Sequence, residues 1–172
     1  MIRGERVQLL EGPKQEERIK PLHFVFSAEL LRACAQRVDF TRRWREELVY
    51  LVGEARGDLR VAQKIVEVET QGSLLSVRDL PQSLHTLLDV TRDGSVLCGL
   101  AHSHPEWYPI PSLIDWNTQA RLEVHYDLVG LVFGLGGLVR FYRIRPFEVE
   151  VQGEGVEEVC PYVYRLARPW DR

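Results

Sequence analysis

Hydrophobic residues recur along this chain at two spacings, and the switches between them lay out its elements. His23 to Phe26 is strand-like, and Ser27 followed by Ala28 and Glu29 is a cap with an acidic first turn. That start predicts a helix burying Leu30, Leu31, Cys34 and Val38. The unbroken apolar run Leu48 to Val52 predicts a buried strand closed by Gly53, with 54–58 as a turn and the alternating stretch 59–69 as its partner. Leu84, Leu87 and Leu88 fall at helical spacing between Pro81 and Arg92, before Asp93-Gly94 stops the helix. A strand over 96–104, a helix over 113–124 and strands over 128–133 and 138–144 follow. Helices and strands in this order predict an α/β (α+β) fold, a mixed β-sheet flanked by helices. Residues 1–20 read as an arm or an edge strand, 21–150 as the domain, and 151–172 as a C-terminal extension.

A chain of 172 residues with 45% hydrophobic and 27% charged residues is sized and composed for one packed domain, which excludes disordered and fibrous classes. Its net charge of −3 has both signs interspersed, so no field draws it to nucleic acid or an anionic membrane. Residues 1–17 lack the apolar core of a signal peptide, and no apolar run is long enough to cross a bilayer. The three cysteines, Cys34, Cys98 and Cys160, are widely separated and form no CxxC. A disulfide framework or thiolate metal site is thereby disfavoured, and a reducing, cytoplasmic setting fits.

The chemistry concentrates at 101–115. Ala101-His102-Ser103-His104-Pro105 ends a strand, and residues two apart on a strand project from one face about 6.6 Å apart along the chain. Two imidazoles so placed can converge on one metal. A loop through Trp107 and Pro109 then leads to Ser112-x-x-Asp115, which can return a carboxylate to the same point and is equally a capping-box pattern at a helix start. Two histidines and an aspartate make a three-ligand set that leaves a fourth zinc position open to water.

His-Ser-His-Pro, six residues, then Ser-x-x-Asp resembles the metal motif of the JAMM (JAB/MPN) zinc metallopeptidases, with the spacing from His102 through His104 to Asp115 matching residue for residue. That motif also has an upstream glutamate seven residues before a glycine. Glu46 and Gly53 stand in this relation, while Glu47 and Glu54 are neighbouring alternatives. The order of elements from about 20 to 150 is similar to the family's domain. Two positions differ: Leu48-Val49 stands where members often carry Cys-Gly, and Leu100-Ala101 where an aromatic commonly precedes the first histidine.

The resemblance implies a zinc (Zn2+) ion on His102, His104 and Asp115, with Glu46 as general base and Ser112 as donor to the oxyanion. It implies an isopeptidase cleaving the amide at the C-terminus of ubiquitin or a ubiquitin-like modifier, whose extended tail would add as a strand near the metal. The competing readings are a non-enzymatic MPN-type scaffold and a RadC-like metal hydrolase with another substrate.

Other features carry blander expectations. Cys98 lies about 13 Å along the strand from His102 and reads as core. His125 reads as a histidine without a ligand role, and Gly134-Leu135-Gly136-Gly137 as a hairpin rather than a phosphate cradle. Arg42-Arg43-Trp44-Arg45 reads as a solvated helix end. Tyr162, Tyr164 and Trp170 could pack on the domain or dock a partner.

Overall fold

The computed structural model describes residues 20–39, 41, 44, 46–67, 70–72, 77–79, 89 and 91–167. The arm at 1–19, most of the helix expected over 81–92, three of the four residues at 42–45, and Trp170 lie outside the described residues.

β1 (Leu22–Ser27) runs into α1 (Ala28–Arg37), whose N-cap is Ser27, its hydroxyl accepting from the Leu30 amide at 3.0 Å. Ala28, Leu31 and Cys34 form the buried stripe of α1 and Val38 caps its end, while Leu30 is only partly buried. β2 (Leu48–Arg56) and β3 (Leu59–Glu67) form a hairpin closed by the two-residue turn Gly57-Asp58, Gly57 taking φ +59°.

Gly53 therefore does not end its strand, and the turn predicted over 54–58 shrinks to two residues. Gly53 stands opposite a bulge in β3, where Val52 pairs with Lys64 and Gly53 with Ala62, leaving Gln63 as the extra residue. A Cβ at Gly53 would lie 1.9 Å from the Val61 carbonyl oxygen of β3, so only glycine permits this approach of the two backbones.

A small separate ladder pairs β4 (Thr70–Gly72) with β5 (Val77–Asp79). The central strand β6 (Val96–Ser103) precedes α2 (Leu113–Leu122). β7 (Val129–Phe133), β8 (Leu138–Tyr142), β9 (Phe147–Gln152), β10 (Val156–Cys160) and β11 (Val163–Leu166) follow. One mixed nine-stranded sheet results, in the order β10-β11-β8-β7-β6-β2-β3-β1-β9. β10 and β11, drawn from the stretch after residue 150, extend it at one end; β9 ends it at the other, parallel to β1.

The two ends are tied together. Tyr162 stacks on Phe147 with ring centroids 4.5 Å apart, and the Tyr162 and Tyr164 hydroxyls donate to the Phe147 and Val149 carbonyls of β9, each at 3.2 Å. Both tyrosines thus pack on the domain.

Side-chain alternation along the central strands separates two cores. Val49 and Leu51 of β2, with Ala101 of β6, join α1, Phe24, Phe26 and Phe141 in the larger one; Tyr50, Val52 and Leu100 point the other way, toward Leu128 and Leu122 of α2. Burial on both faces explains why the central strands are continuously apolar rather than alternating. Among the described residues, no helix is long and apolar enough to cross a membrane.

Candidate metal centre

His102 shares the strand parity of Leu100 and so faces the α2 side of the sheet. His104 follows one residue past the end of β6, its amide bonded to the Phe133 carbonyl at 2.9 Å. Opposite them stands the first turn of α2. Ser112 is its N-cap, accepting from the Asp115 amide at 3.2 Å, while the Asp115 carboxylate accepts from the Ser112 amide. This reciprocal capping box fixes the rotamer of Asp115 and leaves its remaining lone pairs facing the histidines.

The two imidazoles converge on the Asp115 carboxylate, each facing a different one of its oxygens. His102 Nε2 and His104 Nε2 are 3.2 Å apart, His102 Nε2 is 3.1 Å from Asp115 Oδ1, and His104 Nε2 is 3.2 Å from Asp115 Oδ2. A single N–H on each ring cannot be aimed at both neighbours at once, whereas one cation satisfies all three donors. With zinc–ligand bonds of about 2.0–2.1 Å, a tetrahedral site has ligand-to-ligand edges of about 3.3–3.4 Å. The His–His separation is close to such an edge, and one ligand atom from each of the three residues can be chosen with all within 4.8 Å of one another, so the residues present fit a metal ion. His102 and His104 are buried and Asp115 nearly so, which shields the cluster from solvent.

Electrostatics point the same way. Burial alone would raise the Asp115 carboxyl, yet hydrogen bonds from both imidazoles, the charge of His102 and the Ser112 amide hold it well below the usual carboxylate range. Burial alone would lower His104, but the Asp115 hydrogen bond and charge, aided by Glu46 and Glu106, leave it raised. The cluster favours a positive charge at its centre, and a metal ion would compete there with a proton.

Glu46 reaches the cluster by register. β2 is antiparallel to β6 with Leu48 opposite His102, and the Ser103 amide bonds the Glu47 carbonyl at 3.3 Å, which puts Glu46 across from His104. Glu46 is 6% exposed, and burial pushes its carboxyl up to about 7, against the pull of His104 and with Asp115 and Glu106 adding to the rise. Glu47 alternates to the other face, its amide donating to Ser103 Oγ at 3.4 Å. Glu54 sits partly exposed near the far end of β2, bonded to Arg56 and Gln63.

Two neighbours of the cluster left no local signal in the sequence. Tyr142, on β8, sets its ring edge-on to His102 at 6.5 Å and to Trp116 at 5.1 Å. It lies over Gly130, where a Cβ would be 2.2 Å from the ring. The available clue was a glycine inside the apolar run 128–133, which often marks close approach. Glu106 places a carboxylate oxygen 3.7 Å from His104 Nδ1, the nitrogen turned away from the cluster.

Cys98 is buried outside the cluster, its thiol pushed up to about 12 by burial, and His125 is exposed against Tyr126. Gly134–Gly137 joins β7 to β8 as a turn and also braces the loop between the ligands. The Leu135 amide bonds the Glu106 carbonyl at 2.9 Å, and the Gly136 amide bonds the Trp107 carbonyl at 3.4 Å. Trp44 is exposed with φ +54°.

No family model and no curated protein matches this sequence. Solved structures do. A protein of Desulfitobacterium hafniense, determined in solution, aligns with a TM-score of 0.52 at 18% identity, over 76% of this chain and 95% of that one. A crystal structure of a JAB1/MPN domain protein from Archaeoglobus fulgidus aligns with a TM-score of 0.50 at 16% identity, over 74% of this chain and 98% of that one. The chain thus has a JAB/MPN-like fold, with a His102–His104–Asp115 group that could bind a metal ion.

Proposed function

We propose that this protein is a zinc-dependent hydrolase of amide bonds, acting as an isopeptidase at the C-terminus of ubiquitin or a ubiquitin-like modifier. The observation that carries the reading is the convergence of two imidazole nitrogens, 3.2 Å apart, on the two oxygens of one carboxylate at 3.1 and 3.2 Å, beside the buried Glu46. The nitrogen and oxygen donors suit zinc, and three protein ligands leave a coordination position for water, the mark of a catalytic site. When bound there, zinc would supply Lewis acidity and a water with a pKa of about 7.

The side chains divide the remaining work. Glu46, held near neutrality by burial, accepts a proton from the attacking water and returns it to the departing amine. Ser112 receives a hydrogen bond from the Asp115 amide, and its own hydroxyl proton can be donated to the oxygen that gains charge on attack. Tyr142 fills the space beside His102 and holds that ring in place.

The test is cleavage of ubiquitin-like proteins carrying a C-terminal reporter amine. Turnover is expected with zinc, lost with a chelator, restored by zinc, and absent in Asp115→Ala. A fully active, chelator-resistant protein would overturn the reading. A scaffold would bind such conjugates without turnover.

A further inference from the structure

Register carries one row of residues straight across the sheet on its metal side. Leu48 of β2 pairs with His102 of β6, His102 with Val132 of β7, Val132 with Arg140 of β8, and Arg140 with Val163 of β11. Directly paired residues share a face, so Arg140 stands on the face of His102, two strands away, at roughly 10 Å. Tyr142, two residues further along β8, bears this out by setting its ring edge-on to His102.

The Arg140 cation is held in place but not neutralised. Its Cζ lies 5.7 Å from the centroid of the Tyr108 ring, and the Tyr108 hydroxyl is in turn 3.4 Å from Cys160 Sγ. Arg140 is half-buried, and among the described residues no carboxylate or carbonyl accepts from its guanidinium. An arginine set against an aromatic ring with its donors free presents a preorganised fork to an acceptor oxygen.

The proposed reaction gives the two sides of the metal different tasks. Glu46 lies on the β2 side and passes its proton to the departing amine, so the leaving nitrogen faces β2. The acyl part of the substrate then runs off the other way, over β7 and β8. We infer that Arg140 is a substrate-binding residue, its guanidinium donating to a main-chain carbonyl of the tail about three residues on the acyl side of the scissile amide, since an extended chain advances about 3.3 Å per residue. The inference rests on the amide-hydrolase reading for the direction of the tail. Recognition through the main chain is indifferent to side chains and accepts a tail that ends in glycine.

The test uses the zinc-loaded full chain and N-acetyl-oligoglycine aminocoumarin amides, which offer main-chain groups alone. Lengthening the compound from one glycine to four should lower KM about tenfold or more, the range for a hydrogen bond to a charged group. Arg140→Leu should flatten that dependence on length, and Arg140→Lys should recover part of it. Equal KM for both compounds in the parent overturns the assignment. So does an Arg140→Leu variant that retains zinc but slows both compounds by the same factor, the result expected of a mere brace for the ligand loop.

A second arm needs neither zinc, turnover nor a variant. Titrating N-acetyl-tetraglycinamide into the full chain should shift the NMR resonance of the Arg140 Nε–H, and N-acetyl-glycinamide at the same concentration should not. No shift at Arg140 overturns the assignment. A shift there with no cleavage of any amide by zinc-loaded protein would support the binding residue and sink the hydrolase reading instead.

Discussion

Glu46 is caught between folding and chemistry. The folded, metal-free chain keeps its proton up to about pH 7, whereas an unfolded chain releases it near the ordinary glutamate value of about 4.3. The folded state thus binds more protons between these values, and its stability falls as pH rises through that window. Glu46→Gln removes the penalty. Calorimetry of metal-free protein should show the variant melting above the parent at pH 8, with the difference closing as pH approaches 4; an equal difference at both pH values would contradict the burial argument. The same substitution should leave zinc content unchanged and reduce turnover by about 100-fold or more, as loss of a general base does. A bound dication would draw the Glu46 pKa down, so activity should rise with pH along an acid limb lying below 7.

The local part of the cluster was legible for a physical reason. Two residues on one strand face and a capped helix start are short-range patterns, so spacing points to His102, His104 and Asp115 as ligands and to Ser112 as a cap, while the catalytic role of Ser112 came from the family resemblance. Glu46 is 56 residues from His102, and the sequence pointed to it through family resemblance, not through geometry. Tyr142 comes from a strand whose partner is known only once the sheet is assembled.

At the scale of elements, α2 is anchored at the end remote from the metal. Glu123, at its C-cap, is 3% exposed; one oxygen accepts from Gln119 Nε2 and the Ile144 amide, and the other from the Arg145 amide, with Arg143 Nε at 3.8 Å. Arg143, also buried, donates to the Leu128 and Pro146 carbonyls. Removing one partner of such a pair strands a buried charge. Glu123→Ala should therefore cost about 3–5 kcal/mol in urea unfolding, a loss that a surface glutamate would not show.

Gly130→Ala acts nearer the site. Its methyl group would meet the Tyr142 ring, displacing it from His102 and Trp116. Competition with a chromogenic chelator should show zinc affinity reduced by about 10- to 100-fold, the usual effect of disturbing groups that support a ligand. Unchanged affinity would mean that Tyr142 has no part in holding His102.

The elements were less legible than the ligands. Ser27 announced α1 by its cap, but Gly53 read as a strand end because a position opposite a bulge and a terminus use the same residue for different reasons. The first sees close backbone approach, the second a break in the chain's direction. Sequence alone cannot separate them without the partner strand.

For the whole molecule, curling of the sheet is the organising event. Antiparallel β2 and parallel β7 flank β6, so strands separated widely in sequence deliver Glu46 and the histidines to one end of the sheet. The tyrosines of the β10–β11 end close the sheet onto β9, whose parallel pairing with β1 spans more than 120 residues. No local pattern encodes that contact. It depends on loop closure that only the assembled core stabilises.

Zinc K-edge X-ray absorption on purified, zinc-equilibrated protein tests the central claim most directly. The account predicts one ion per chain with only nitrogen and oxygen neighbours at about 2.0–2.1 Å, two of them showing imidazole scattering that drops to one in His102→Ala. A sulfur neighbour at about 2.3 Å, or protein that retains no zinc at all, would contradict it.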